Sequence, residues 1–510
     1  LGGFLGQGLF GEGVSRLCGV VAATTAREMR ALTARALKET PTIELRLDWL
    51  KNDEERHKLL RWLRSQRNRK AQFIATCRRR VGGGEFAGDA GAELFWLMKA
   101  REAGCQWCDV EVETLRELPG KSVRGYSVPG KVLLSYHDFQ KMPRLPKKLN
   151  LPARAGADGI KVAVMARTIG DSVRLLRALR KSRQVVASPM GEVGLPARIL
   201  ALREGSALAY APVAAATAPG QVNLREMKQL YRAHRVTAKT RVFAVIGAPI
   251  GHSLSPLLHN TGYVAAGKDA VFLPFLAEKL HDFLNNAAEF GVEGFSVTLP
   301  HKRAIFRYLD DCEALAEEIG AVNTVTVRKN GSLYGSNTDY LGVLRALEKK
   351  IRLRGSRVVI LGAGGSARAA AFAVAKSGGE VLVCSRRSSE AKKLARAVHG
   401  GVIALSALSE TKVDALVNAT PVGMHLHSEV SPLGSSELNC SLVMDLIYRP
   451  MQTKLLRMAA ARGMATVSGV EMFVAQGVAQ WELWMGQRAP EAAMKQAILR
   501  ALRAEETLRW

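Results

Sequence analysis

Arg357 to Arg387 reads RVVILGAGGSARAAAFAVAKSGGEVLVCSRR, in the order strand, tight turn, helix, strand. The apolar run Val358 to Leu361 ends in Gly362, Gly364 and Gly365, which accept the dihedrals of a tight turn and let a pyrophosphate approach the backbone. Ser366 and Ala367, the latter at the third small position, lead into a stretch rich in helix formers that stops at Gly378 and Gly379. Phosphates bound there would face the unpaired N–H groups of a helix N-terminus. The next strand, Glu380 to Cys384, runs into Ser385, Arg386 and Arg387. An acid at this place would hold the ribose hydroxyls of NAD and repel a 2′-phosphate, whereas guanidiniums attract one, so the expected cofactor is NADP(H). The alternative is a glycine-softened strand-to-helix turn that binds nothing.

At 510 residues the chain exceeds one ordinary domain, and with 47% hydrophobic residues it can bury several cores. Charged residues make up 23%, and no stretch of about eighteen apolar residues is free of charge, so neither global disorder nor a membrane span is expected. The opening LGGFLGQGLFGEGVSR has neither a basic start followed by an apolar core nor the Arg and Ser richness of a transit peptide. Seven cysteines spread over so long a chain do not describe a disulfide framework, and a reducing cytoplasm is the expected compartment. The net charge of +27 would concentrate anionic ligands around the protein. Its clusters, such as Arg78 to Arg80, Lys147 with Lys148 and Lys392 with Lys393, are short and carry no interleaved aromatic platform. Small molecules, not nucleic acid or membranes, are therefore the expected partners.

From Leu17 to Val213, eight apolar strand-like runs alternate with mostly helical segments: LCGVVAA (17–23), TIELRLD (42–48), QFIATC (72–77), CDVEV (108–112), KVLLSY (131–136), DGIKVAV (158–164), QVVAS (184–188) and ALAYAPV (207–213). Eight βα units in about two hundred residues predict a closed parallel barrel with its chemistry at the C-terminal ends of the strands. Glu44, Arg46 and Asp48 alternate along the second run and so point to one side; Arg78 follows the third and His137 the fifth. Lys161 stands inside the sixth, between Ile160 and Val162. Burial of an ammonium in an apolar strand lowers its pKa and frees the amine as a nucleophile toward a ketone. Protonation of the resulting imine acidifies the neighbouring C–H, and His137, titrating near neutrality, suits that proton. The alternative is a salt-bridged barrel lysine and an incidental histidine.

TIELRLD, SYHDF, the lysine of DGIKVAV, Arg198 in MGEVGLPARI, and TAPGQ from Thr217 to Gln221 together resemble the type I 3-dehydroquinate dehydratase family over residues 15–236. The resemblance implies that Lys161 forms a Schiff base with the substrate ketone, that His137 abstracts the proton and passes it to the leaving water, and that Arg198 holds the substrate carboxylate. Glu44, Arg46, Arg78, Thr217 and Gln221 are implied to line the site. Two departures stand out. The family reads Arg-x-x-x-Glu-Gly-Gly after the third strand, and here Gly82 stands where that glutamate belongs, with Glu85 the acid expected to reach the same space; the usual Ser is Thr217.

A polar VTAKT precedes a second start at VFAVIG, which places a boundary near 237–241. In GAPIGHSLSPLLHN, Ser253 and Ser255 offer hydroxyls beside a helix start, suited to a polyhydroxylated carboxylate. SVTLPHK with Thr298 and Lys302, GAVNT with Asn323, and GSNTD with Asp339 follow. Lys302 and Asp339 read either as a buried ion pair or as a proton donor and its orienting carboxylate beside a carbonyl receiving hydride. With the Gly-rich turn, NATPVGM (418–424), DLIYRP (445–450) and FVAQGVAQ (473–480), these motifs resemble the shikimate dehydrogenase family from 242 to 510.

That resemblance implies proton chemistry at Lys302 and Asp339 and substrate contacts from Ser253, Ser255, Thr298, Asn323, Tyr448 and Gln476. It adds Thr420 and Gly469 to the cofactor contacts. The sequence departs at Ser296, where many relatives have Asn, and at Ser385-Arg386-Arg387, where Asn-Arg-Thr is usual. The expected fold is thus an N-terminal (β/α)8 TIM barrel (15–236), then an α/β substrate-binding domain (242–347), an NADP-binding Rossmann domain (348–467) and C-terminal helices (468–510) returning to the substrate domain. Such a chain would dehydrate 3-dehydroquinate and reduce the product to shikimate. The alternatives are a chain active only in its second half, toward shikimate or quinate, and a basic nucleic-acid scaffold. No metal is expected: Cys105 and Cys108 run into a strand without a second pair, and His252 and His259 have no Cys or carboxylate partner.

Overall fold

A computed structural model describes residues 9, 15–66, 70–123, 130–145, 152, 155–182, 184–214, 220–424 and 428–507. It divides into two compact units, Leu1–Arg241 with Leu273–Gly291, and Val242–Phe272 with Val292–Trp510.

The first unit carries eight strands: β1 (Leu17–Val21), β2 (Thr42–Arg46), β3 (Gln72–Thr76), β4 (Trp107–Glu111), β5 (Lys131–Asp138), β6 (Gly159–Met165), β7 (Val185–Met190) and β8 (Ala209–Pro212). Each of the eight predicted runs overlaps one, with β4, β5, β6 and β7 reaching past the predicted bounds. They pair in parallel in the order β7-β6-β5-β4-β3-β2-β1-β8. Between the two ends of that order the Ala207 amide donates to the Val185 carbonyl (3.1 Å) and the Ala187 amide to Ser206 Oγ (3.0 Å), which bridges the seam. The strands are buried along nearly their whole length because one face meets a central core of Cys18, Val20, Ile74, Trp107, Leu133, Val186, Leu208 and Tyr210 while the other meets helices. Four of those helices begin at side-chain caps, Thr25, Asn52, Asp89 and Thr168, the last in a capping box with Asp171. In Asp53–Arg64 the buried set Arg56, Leu59, Leu60 and Leu63 follows helical spacing, so one stripe faces the sheet.

Two element boundaries differ from expectation. β2 ends at Arg46 and Asp48 lies in a short helical turn, Leu47–Trp49, so Asp48 does not continue the strand's alternation. His137 lies within β5 instead of after it, because the strand runs on to Asp138.

Two further sheets follow along the chain. In the first, β9 (Arg241–Gly247), β10 (Ala270–Leu276), β11 (Val292–Val297), β12 (Asp311–Cys312), β13 (Thr324–Val327) and β14 (Leu333–Ser336) take the order β10-β9-β11-β13-β14-β12, with β9 and β11 parallel and β11, β13 and β14 antiparallel. The second is all parallel: β15 (Arg357–Leu361), β16 (Glu380–Cys384), β17 (Gly401–Val402), β18 (Val413–Asn418), β19 (Cys440–Asp445) and β20 (Ala465–Val467), ordered β17-β16-β15-β18-β19-β20. Alternation along β15 sends Val358 and Ile360 into one core and Val359 and Leu361 into the other, so both faces are covered. The strand order reverses direction between β15 and β18, and the turn after β15 opens at that switch point. The long helix Gly469–Met485 packs on Thr338–Glu348, where Gly342 permits close approach: a Cβ there would stand 2.8 Å from the Met472 carbonyl.

Two candidate active sites

In the barrel, charged residues of β2, β4 and β6 converge. Lys161, 4% exposed, donates to Glu44 Oε1 at 3.0 Å and forms a second ion pair with Asp109. Thr76 Oγ1 donates to the same Glu44 oxygen at 2.8 Å. Lys161 Nζ also lies 4.5 Å from the centre of the Tyr210 ring, where the cation meets the negative face of the π system. The lysine expected from its apolar neighbours therefore sits between two carboxylates. Burial opposes ionisation of Glu44, yet Lys161, Arg46 and Arg78 hold its pKa down at about 2.

Arg46 forms a two-pronged pair with Asp48, Nε to Oδ1 at 2.9 Å and Nη2 to Oδ2 at 2.7 Å. Arg78 Nε lies 3.1 Å from Glu111 Oε1, and its Nη2 lies 3.9 Å from Asp109 Oδ2. His137 is half-buried and stacks on Phe139, with ring centres 6.0 Å apart. Burial, reinforced by Arg78, Lys161 and Arg46, holds its imidazole well below the ordinary 6.5, so the ring is neutral and ready to accept a proton at neutral pH. Among the described residues Asp109 Oδ1 of β4, Ser135 Oγ and His137 Nδ1 of β5 and Tyr210 Oη of β8 are buried without a hydrogen-bond partner, a set that a polar ligand would satisfy.

Arg198, 1% exposed, is held differently: Nε and Nη2 donate to the Pro189 carbonyl and Nη1 to the Gly220 carbonyl, with no carboxylate among these contacts. Burial brings its pKa down to about 10. Gln221 is half-buried beside Gly220, and Thr217 lies outside the described residues. Glu85 does not take the space left by Gly82: its side chain is exposed, and Glu111 is there instead. Sequence reading passed over Asp109 and Glu111, although CDVEV alternates its acids just as TIELR alternates Glu44 and Arg46.

In the second unit Lys302 Nζ lies 2.5 Å from Asp339 Oδ2 and 3.1 Å from Ser366 Oγ in the glycine-rich turn. Asp339, 3% exposed, accepts from Asn323 Nδ2 at 2.8 Å through its other oxygen, so the carboxylate is fixed from both sides. Asn323 also donates to Thr338 Oγ1 (2.9 Å) and Gln476 Oε1 (3.3 Å), and Gln476 Nε2 to the Phe473 carbonyl (2.8 Å). Tyr448 hydrogen-bonds Ser253 and stacks on Phe473. The Ser255 amide donates to Ser253 Oγ at 3.2 Å. Thr298 follows β11, half-buried against Gly247. Behind them Gln480, absent from the sequence expectation, accepts from Ser296 (2.8 Å) and donates to the Asn323 carbonyl and Thr324 Oγ1. His259 is wholly buried, stacked on Phe272, and burial drives its pKa to about 3, which makes it a packing residue.

The turn after β15 fits a dinucleotide. Gly362 has φ +105°, which a side chain would strain, and Gly364 has only open space where a Cβ would be. The helix Gly365–Lys376, with Ala367 buried in its first turn, has no side-chain cap, so its first N–H groups are available to phosphate. A Cβ on Gly365 would stand 3.0 Å from Lys302 Cβ, so the glycine brings this helix end against the lysine. Thr420 is oriented by Asn418, and Gly469 packs under the Leu446 and Ile447 carbonyls. Ser385 is half-buried; Arg386 and Arg387 are exposed and unpaired among the described residues.

The chain matches the type I 3-dehydroquinase family over residues 17–238, the shikimate dehydrogenase substrate binding domain over 245–325 and the shikimate 5′-dehydrogenase C-terminal domain over 469–499. A relative from Arabidopsis thaliana, described as a chloroplastic bifunctional 3-dehydroquinate dehydratase/shikimate dehydrogenase, is 33% identical over 505 residues, 94% of this chain and 83% of that protein. An NADP(+) shikimate dehydrogenase from Methanothermobacter thermautotrophicus is 40% identical over 281 residues, 52% of this chain and 99% of its own. A crystal structure of a shikimate dehydrogenase in complex with NADP+ superposes with a TM-score of 0.50 at 35% identity, covering 52% of this chain and 97% of that one.

Proposed function

We propose that this chain, which belongs to the family of bifunctional 3-dehydroquinate dehydratase/shikimate dehydrogenases, runs its two consecutive shikimate-pathway steps at Lys161 and at Lys302. The domain limits assigned with this reading are 15–236, 242–347, 348–467 and 468–510; of these, 467/468 falls between β20 and the helix Gly469–Met485, whereas 242 lies in β9 and 347/348 in the helix Thr338–Glu348.

The observation that carries the first assignment is Lys161, buried between Glu44 and Asp109 with neutral His137 close to the same charges. An ammonium must lose a proton before it can attack, and the two carboxylates are acceptors within reach. Lys161 Nζ then adds to the ketone carbon of 3-dehydroquinate and the oxygen leaves as water, giving an iminium. The iminium acidifies the adjacent C–H; His137 takes that proton and returns it to the departing hydroxyl, which leaves as a second water. Hydrolysis of the iminium releases 3-dehydroshikimate and restores the amine. Arg198 and Gln221 are the groups assigned to the substrate's carboxylate and hydroxyls.

In the second unit NADPH, when bound, supplies hydride to the ketone carbon of 3-dehydroshikimate. Lys302 Nζ delivers the proton that the developing alkoxide needs, and Asp339, pinned by Asn323, aims the ammonium. Ser253, Ser255, Thr298, Asn323, Tyr448 and Gln476 are assigned to the substrate. Gly362, Gly364, Gly365, Ser366, Ala367, Thr420 and Gly469 are assigned to the dinucleotide turn and its rim, and Ser385, Arg386 and Arg387 to the 2′-phosphate. The seven cysteines are free thiols, which supports a reducing compartment such as the cytoplasm.

The test of the whole reading is the purified protein with 3-dehydroquinate and NADPH, followed at the enone and NADPH absorbances. Enone formation without NADPH, and coupled NADPH loss with it, are expected. Arg386→Ala should raise the KM for NADPH about tenfold or more and that for NADH little, since the missing contact belongs to the 2′-phosphate. Equal losses for both cofactors would assign the arginine to structure.

A further inference from the structure

Two buried carboxylates project from the same side of β4. Asp109 is committed to Lys161, whereas Glu111 Oε1 lies 3.1 Å from Arg78 Nε and its Oε2 accepts the Arg79 amide at 3.2 Å. Arg78 is itself buried, and its other carboxylate neighbour, Asp109, is 3.9 Å away. Glu111 is therefore the anion that fixes the guanidinium.

The turn Arg80–Gly82 crosses directly over this carboxylate. A Cβ built on Gly82 would stand 2.6 Å from Glu111 Oε2 and nearer still to Oε1, so no side chain fits at position 82 while Glu111 keeps its place. The backbone of Gly82, unlike that of Gly83 at φ +78°, is not left-handed, so space and not dihedral preference requires the glycine. Burial pushes the Glu111 carboxyl up to about 7 against the pull of Arg78; the pair is held by charge at 3.1 Å without an aligned hydrogen bond, and the Arg79 amide supplies the hydrogen bond that steadies the carboxylate.

We propose that Glu111 is the positioning residue that holds Arg78 in the dehydratase site, and that Gly82 is glycine to make room for its carboxylate. The glutamate that the family pattern places on the turn is thus replaced by one reaching up from β4. This rests on the assignment of Lys161 and Arg78 to the dehydration.

The test measures dehydration of 3-dehydroquinate, and reduction of supplied 3-dehydroshikimate, on the same purified full-length variants. Glu111→Ala should lower kcat/KM for dehydration about thirtyfold, and Gly82→Ala, by displacing the carboxylate, should cost nearly as much. Together the two should cost no more than Glu111→Ala alone, because the clash has gone. Glu111→Ala with Gly82→Glu, which returns a carboxylate from the turn, should recover at least tenfold over Glu111→Ala, a rescue that general loss of stability would not produce. Glu111→Gln keeps the side-chain volume and should still lose about tenfold, which guards against simple unfolding of the alanine variant. Reduction should hold at the parent rate throughout. Dehydration within twofold of the parent in Glu111→Ala, multiplying losses in the double alanine variant, or no rescue by Gly82→Glu would overturn the inference. A parent chain unable to dehydrate 3-dehydroquinate at all would instead overturn the assignment on which it rests.

Discussion

Lys161→Ala should abolish enone formation from 3-dehydroquinate, a fall of at least about a thousandfold, while reduction of supplied 3-dehydroshikimate continues. The amine is the nucleophile, and Lys161 is the one lysine in β6. Replacement has a second consequence. Glu44 and Asp109 would be left buried without their shared cation, a loss of about 3–5 kcal/mol unless they take up protons. The variant barrel should therefore unfold at lower temperature, and more so at high pH, where protonation cannot relieve the carboxylates. For Glu44 the sign is direct: its folded pKa of about 2 lies below its ordinary value, so the stability it contributes is present above the ordinary carboxylate range and is lost as pH falls through the folded value. Borohydride treatment of the parent protein during turnover gives a readout independent of stability. It should reduce the iminium and leave a substrate adduct on the peptide containing Lys161, located by mass spectrometry. Recovery of that peptide unmodified, with dehydration running, would sink the Schiff-base step.

Much of the barrel was legible because its strands are β-branched apolar runs separated by helix-spaced patterns, and a charge such as Lys161 between Ile160 and Val162 stands out against them. What Lys161 touches was not legible. Its partner Asp109 lies on β4, and which acid of CDVEV faces it depends on the register of β4, β5 and β6, which no single run encodes. The same holds for Gly82: as a gap in a sequence pattern it suggested the nearest acid along the chain, Glu85, whereas the space is filled across strands by Glu111. Local reading finds residues of unusual type, and sheet pairing decides which of them meet. In the second unit the turn from Gly362 to Ala367 was readable because glycine positions there answer to backbone geometry, a local property. The network behind Asn323 was half visible: Gln476 and Gln480 both stand in FVAQGVAQ, but only Gln476 was assigned a contact, since the role of Gln480, one helical turn on, is set by how the helix Gly469–Met485 packs against β13.

Lys302→Ala tests the other centre and whether the two are separable. The lysine is linked to Asp339 at 2.5 Å and to Ser366 at 3.1 Å, so its ammonium spans the carboxylate that orients it and the turn assigned to the cofactor. Its removal takes away the proton donor but leaves Asp339 held by Asn323, and the glycine-rich turn keeps its own backbone geometry. NADPH affinity should thus change little, while kcat for reduction falls about a hundredfold or more, the range expected for a lost general acid that also stabilised the developing alkoxide. Dehydration should proceed at the parent rate and 3-dehydroshikimate should accumulate. Conservative replacement is informative here: Lys302→Arg keeps the charge but not a readily transferred proton, and should recover substrate affinity without recovering kcat. Mixing Lys302→Ala with Lys161→Ala should restore conversion of 3-dehydroquinate to shikimate through free intermediate, because each variant retains the step the other has lost. If Lys302→Ala, still folded by circular dichroism, lost dehydration as well, the assignment of one lysine to each reaction would be wrong.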